Sequence, residues 1–180
     1  MAWGLALSGR LAAGKSSAQR ILVESHGFWS PTTITTRRLD PGEDGVSSVP
    51  TRDFVDGVGD GRYALPVCFA GNWYAWSSPD VSRLLHHSTD VALNLRPYTA
   101  LALSALVPDL LPVWLRVRED ELIQRRARRG SNRDRDPKLG DLRSEQDRVD
   151  AVYEPLFRIR VESNARVIPA LLAIHEGHWK

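Results

Sequence analysis

A short apolar run, Trp3 to Leu7, feeds directly into Gly9-Arg-Leu-Ala-Ala-Gly14-Lys15-Ser16, and this junction constrains the chain more than any other feature. The pattern is G-x-x-x-x-G-K-S, a phosphate-binding loop set where its mechanics require, between a candidate strand and a candidate helix. Glycines let successive N–H groups curl inward around an anion. The helix expected from Lys15 to about Glu24 aims its positive dipole end at the same place. The candidate triphosphate-binding residues are therefore Gly9, Ala12, Ala13, Gly14, Lys15, Ser16 and Ser17. In such a loop the lysine reaches the outer phosphates and the serine hydroxyl holds Mg²⁺, roles that fall here to Lys15 and Ser16. The plain alternative is a strand–turn–helix with no ligand.

The 180 residues suit one domain with a real core. Apolar residues make up 42% and charged residues 26%, so neither a disordered nor a membrane composition is indicated. There is no run of 18 apolar residues to span a bilayer. The apolar start, Met1 to Leu7, is too short for a signal peptide and lacks a basic flank. The lone Cys68 excludes an internal disulfide and a thiolate metal cluster, and it fits a reducing cytoplasm. A net charge of +2 is too small to argue for nucleic acid. Its distribution is uneven, however. From Arg116 to Arg148 there are eleven Lys or Arg against eight Asp or Glu, with six arginines between Arg125 and Arg135.

Hydrophobic runs and breakers divide the rest. His26-Gly27 closes the first helix, and Phe28 to Thr36 reads as extended. Thr51 is placed to cap a short helix. Tyr63–Phe69 reads as a strand, followed by a hairpin turn at Gly71-Asn72. Ser78-Pro-Asp80 starts a helix over Val81–His87. Val91–Leu95 is a buried strand, Tyr98–Val107 a helix and Pro112–Val117 another strand. A helix over Glu119 to Arg129 gives way to a polar loop, Gly130–Gly140. Leu142–Tyr153 is helical, Leu156–Val161 the last strand and Ala165–Glu176 a closing helix. Strands alternating with helices imply an α/β fold with a parallel sheet covered on both faces. The core comprises 1–32, 79–129 and 142–180, with a β-rich insertion at 33–78 and a lid at 130–141.

With Thr35-Thr36-Arg37, Gly42-Glu43, Gly71-Asn72-Trp73-Tyr74, Leu122-Ile-Gln-Arg125 and Arg129-Gly130 in this order after the loop, the chain resembles the guanylate-kinase-like branch of the P-loop nucleoside monophosphate kinases. The resemblance covers nearly the whole length. It implies a three-layer α/β/α P-loop fold, an acceptor-binding insertion, an arginine-rich lid, and ATP and Mg²⁺ as cofactors. The departures are specific. Asp40 stands where the family has a second acceptor-phosphate arginine, and the tyrosine expected after Gly45 is missing. Leu65 falls where a glutamate reads guanine, Ala75-Trp76 follow Tyr74, and Asn94 and Arg96 replace an acidic pair. A pocket stripped of its polar readers loses its discrimination. The compact insertion and Asn94 look more like the ribose 1,5-bisphosphate phosphokinases, relatives with a sugar-phosphate acceptor.

Phosphoryl transfer needs positioning and charge stabilisation. Lys15, Arg125, Arg129, Arg133 and Arg135 are the candidate catalytic residues, since guanidinium forks match phosphate oxygens. Arg125 and Arg129 share a helix face, and Arg133 and Arg135 are expected in the loop. The competing reading is a solvated face laced with ion pairs. Arg37, Glu43, Tyr74 and Arg96 are the candidate acceptor-binding residues. Arg96 ends a central strand, where such folds bind ligands, and either contacts phosphate or forms an ion pair. Glu43 and Asp44 are acceptor-side carboxylates or turn chemistry. Trp73 and Trp76 stack on a ligand or pack. Asp90 lies at the wrong end of its strand for Mg²⁺, leaving Ser16 as the protein's metal ligand. His86-His87 and His175-x-x-His178 lack a third ligand for zinc.

The expected activity is ATP-dependent phosphorylation of a small phosphorylated metabolite, either a nucleoside monophosphate or a pentose phosphate. A catalytically silent binding module is the rival, and a kinase of polymer nucleotides a third reading. No membrane or nucleic-acid partner is expected, and a homodimer is left open.

Overall fold

Five consecutive buried residues, Gly4–Ser8, form β1, the strand expected at the start of the chain. The computed structural model describes residues 3–39, 43, 45–86, 89–107, 109–133, 145 and 147–177, with the backbone alone for 129–133. The chain divides into two units, Met1–Trp29 with Thr89–Lys180, and Ser30–Ser88.

In the first unit β1 lies between β6 (Val91–Asn94) and β7 (Leu110–Arg116), and β7 pairs with β8 (Ile159–Glu162). Every pairing in this sheet, β6-β1-β7-β8, is parallel. A parallel sheet is buried on both faces, which is why β1 and β6 read as unbroken apolar runs. Leu5 and Leu7 point into a cluster with Ala18 and Leu22 of α1 (Lys15–His26) and Leu171 and Ile174 of α6 (Val167–His175). Strand alternation turns Gly4 and Ala6 to the other face, where α4 (Pro97–Leu106) packs on β1 and β7. The result is a three-layer α/β/α sandwich. Truncating Leu22, with no exposed surface, to alanine would cost roughly 2–5 kcal/mol. Pro169 sits in the first turn of α6, where a missing N–H costs nothing.

The helix α5 runs Glu119–Arg133, four residues beyond its expected end, so Arg133 lies on the helix and not in a loop. A glycine inside a helix costs only about 1 kcal/mol relative to alanine. Gly130 is therefore too weak a breaker for a helix whose first turn carries Glu119, Asp120 and Glu121 against the dipole. The remainder of the expected lid, with Arg135, lies outside the described residues. Helical backbone resumes at 145 and 147–151.

The second unit is a mixed sheet, β3-β2-β5-β4, built from β2 (Thr33–Thr35), β3 (Val46–Ser48), β4 (Tyr63–Phe69) and β5 (Asn72–Ser77). Helix α2 (Thr51–Gly59) packs on it through Phe54, whose ring centroid lies 5.8 Å from Tyr63 and 6.3 Å from Trp73. Gly57 permits this approach, since a Cβ there would come within 2.3 Å of the Tyr63 ring. Pro50, not Thr51, holds the cap position of α2, and no side chain caps it. The hairpin turns on Ala70 and Gly71, both at positive φ, one residue earlier than expected. Helix α3 (Ser78–Leu85) is capped by Ser77, which accepts the Asp80 N–H at 3.1 Å. Among the described residues no helix is long and apolar enough to cross a membrane.

Candidate nucleotide site

The loop between β1 and α1 is shaped by its backbone. Gly9 has φ +144°, and a Cβ there would lie 2.6 Å from the Leu115 carbonyl oxygen. Ala12 (φ 69°) and Gly14 (φ 92°) are left-handed, and the Ala13 N–H closes onto the Arg10 carbonyl at 3.0 Å. A left-handed alanine is strained by about 1–2 kcal/mol, so the surroundings must hold it. Gly14 is the N-cap of α1, no side chain caps it, and the first turn holds no acid. These are the conditions in which a helix N-terminus receives an anion. The residues present therefore fit a polyphosphate.

Polar groups from the strand ends surround this loop. Ser8, fully buried, donates to the Leu95 carbonyl at 3.1 Å and pins the end of β1 to the end of β6. The Lys15 ammonium donates to the carbonyls of Gly9 (2.7 Å) and Arg10 (3.0 Å), folding back over its own loop. The Asn94 side-chain amide donates to the Ser16 hydroxyl. The sequence offers no aspartate at the end of β6, and the structure puts this neutral amide beside the expected metal ligand. Asp90, at the other end, accepts the Trp3 N–H at 2.9 Å and lies 3.0 Å from His175 Nε2. His175 is packed, with its ring 4.9 Å from Phe28. His178 and His87 lie outside the described residues.

Arg125 joins the loop from α5. Its Nε and Nη2 donate to Glu121, Nη2 to the Ser163 carbonyl (2.6 Å), and Nη1 to the Ser163 hydroxyl (3.2 Å) and Ala12 carbonyl (3.5 Å). The Ser163 hydroxyl donates in turn to the Ala13 carbonyl at 2.6 Å. Arg129 and Arg133 follow Arg125 at four-residue steps along α5.

Two buried carboxylates were not singled out by the sequence reading. Asp147 and Asp150, three apart on the helical stretch 147–151, are 3% and 4% exposed. Asp147 takes Arg10, Arg126 and the Leu11 N–H. Asp150 pairs with Arg96. Burial pushes the Asp150 carboxyl above its ordinary range, against the pull of Arg96 and Lys15. Burial likewise lowers Arg96, against the pull of Asp150. Burial acts against Arg10 too, but bonds and charge from Glu119 and Asp147 outweigh it and raise that guanidinium. The signal available in sequence was the i,i+3 spacing of two acids in a helix flanked by arginines.

Three of the four acceptor candidates, Arg37, Glu43 and Tyr74, lie in the second unit. Arg37 donates to Glu43 at 2.8 Å, and its N–H is accepted by the buried Thr35 hydroxyl at 3.1 Å. That hydroxyl donates to the Trp73 carbonyl at 2.8 Å, and Tyr74 stands opposite Thr35 in the β2–β5 register. Arg37, Glu43 and Tyr74 are thus drawn toward one end of the sheet. Trp76 is buried, and Trp73 packs on Phe54. Leu65 has φ 54° and sits in the irregular β4–β5 pairing between Ala64 and Val67. Asp40, Gly42 and Asp44 lie outside the described residues.

No protein-family model and no curated protein sequence matches this chain. Among solved structures the chain is similar to a guanylate kinase from Anaplasma phagocytophilum, with a TM-score of 0.73 and 14% identity over 98% of this chain and 86% of that one. It also aligns with an uncharacterized protein from Eubacterium ventriosum, with a TM-score of 0.46 and 10% identity over 98% and 97% of the two chains. At this level of identity the first likeness is one of fold. The chain shares the overall α/β fold of that guanylate kinase, and in this chain it comprises a parallel sheet, β6-β1-β7-β8, with flanking helices.

Proposed function

We propose that this chain is a P-loop kinase that uses Mg-ATP to phosphorylate a small phosphorylated metabolite, a nucleoside monophosphate or a pentose phosphate. The observation that carries this reading is the loop itself. A left-handed Ala12 and Gly14, an uncapped helix start without acids and an adjacent lysine make a strained anion cradle. A purely structural turn has no use for that combination. ATP when bound supplies the phosphoryl group, and Mg²⁺ offsets its charge. The residues that would hold the triphosphate are Gly9, Ala12, Ala13, Gly14, Lys15, Ser16 and Ser17, with Ser16 the protein ligand to Mg²⁺. Lys15 supplies positive charge at the transferring group, with Arg129, Arg133 and Arg135 as further candidates. Arg125 holds the loop through Ala12 and Ser163.

On the acceptor side, Arg37 and Tyr74 are the candidate phosphate ligands, with Glu43 orienting Arg37. Arg96, in the first unit, is a further phosphate-ligand candidate, held here by Asp150. The apolar Leu65 at the irregular β4–β5 pairing favours an acceptor not read through a guanine edge. The lone cysteine suits a reducing cytoplasm.

The test is ATP consumption against a panel of nucleoside monophosphates and pentose phosphates, run beside Lys15→Ala. One acceptor should stimulate turnover, and Lys15→Ala should lower it by roughly 10²–10³-fold while the thermal transition stays near wild type. Failure to bind Mg-ATP at millimolar concentration would instead support a binding module without catalysis.

A further inference from the structure

Asp147 is almost wholly buried, yet it serves more than ion pairing. One carboxylate oxygen accepts the Leu11 N–H at 2.5 Å. The other takes Arg10 Nε at 3.1 Å and an Nη2 of Arg126. The same Arg126 nitrogen reaches the Leu11 carbonyl at 3.5 Å. Both main-chain polar groups of Leu11 are therefore held by one carboxylate–guanidinium pair.

Leu11 needs such ties, because its side chain is 42% exposed and gives little apolar anchorage. The next residue is the left-handed Ala12, which cannot hold its conformation unaided. An ion pair kept only for stability has no reason to accept a loop amide. Its burial would be better served by apolar groups of similar volume.

We infer that Asp147 is a positioning residue that fixes the first half of the anion-binding loop through Leu11, and so sets its affinity for a nucleotide triphosphate. The functional half of this inference rests on the nucleotide-binding reading above; the structural half does not.

The test compares Arg126→Met/Asp147→Leu, which removes both charges but keeps bulk, with Asp147→Asn, which keeps an oxygen for the Leu11 N–H. Three measurements are made: thermal unfolding, hydrogen exchange over residues 9–13, and Mg-ATP affinity by calorimetry. In the double variant the thermal transition should stay close to wild type. Loop exchange should quicken, and Mg-ATP affinity should weaken, each by about tenfold, the worth of one charge-assisted hydrogen bond. Asp147→Asn should stay within about threefold of wild type on both. Unchanged loop exchange in the double variant overturns the inference, as does a loss in Asp147→Asn as large as the double variant's. Should the double variant not fold, Asp147→Asn decides: loop exchange within about threefold of wild type supports the inference, and exchange quickened by about tenfold or more overturns it. Wild-type protein that binds no Mg-ATP sinks the proposed function, while the exchange measurement still judges Asp147.

Discussion

The side-chain amide of Asn94 donates to the hydroxyl of Ser16 across 3.0 Å, joining the end of β6 to the first turn of α1. A neutral amide therefore stands beside the expected Mg²⁺ ligand. Magnesium affinity rises with the charge its neighbours supply. Asn94→Asp should lower the Mg²⁺ concentration for half-maximal turnover by about tenfold, roughly the worth of a hydrogen bond to a charged group. A magnesium titration of ATP turnover reads this directly, and an unchanged midpoint would remove Asn94 from the metal's surroundings.

Gly9 admits no side chain. At φ +144° any other residue is strained, and a Cβ would meet the Leu115 carbonyl at 2.6 Å. Gly9→Ala should cost roughly 2–3 kcal/mol. Thermal unfolding should show a fall in Tm of roughly 5–10 °C. A variant that melts with wild type would mean that β7 yields without resistance.

Asp150 carries a pH signature. Burial raises its carboxyl above the 3.8 of a free aspartate, against Arg96 and Lys15. The folded state then holds its proton more tightly than the unfolded state. The stability it contributes is full below about pH 3.8 and falls as pH climbs through the raised value. The stability of wild type minus that of Asp150→Asn should therefore decline with rising pH across that interval. Denaturant unfolding at stepped pH measures the difference; a difference that grows with pH would contradict the burial argument.

Arg37 is the acceptor-phosphate candidate whose loss separates the two substrates. Arg37→Ala should raise the KM for the acceptor by about 10–100-fold, the range for a charge-assisted fork on phosphate. Mg-ATP affinity should not change. Its pair with Glu43, partly open to water, is worth about 1 kcal/mol or less, so Tm should move little. An unaltered KM would move the phosphate site elsewhere.

The sheet and the loop were legible because both rest on local, strong signals. The apolar run of β1 and the spacing of Gly9, Gly14 and Lys15 dictate strand, turn and helix at once. Tyr63–Phe69 was read to the residue, since its breakers flank it. What escaped was long-range and polar. Nothing near Asp147 in sequence announces that it will meet Leu11, 136 residues away. The end of α5 was misread because Gly130 is a weak punctuation mark beside strong helix formers. The positive φ of Ala12 was also hidden, since alanine does not advertise that conformation.

One seam in the fold has a consequence for how the chain is put together. Trp29 and Asp90 flank the segment Ser30–Ser88 in sequence, and the Trp29 N–H donates to the Asp90 carbonyl at 2.7 Å. The Ala92 N–H returns the bond to Trp29 at 2.9 Å. Departure and return are stitched together at the β6 edge of the parallel sheet. The ends of this fifty-nine-residue segment therefore meet beside an isolated bridge, Trp29 with Val91. An insertion whose two ends meet in this way is a cassette, open to exchange by cutting the chain at two neighbouring points.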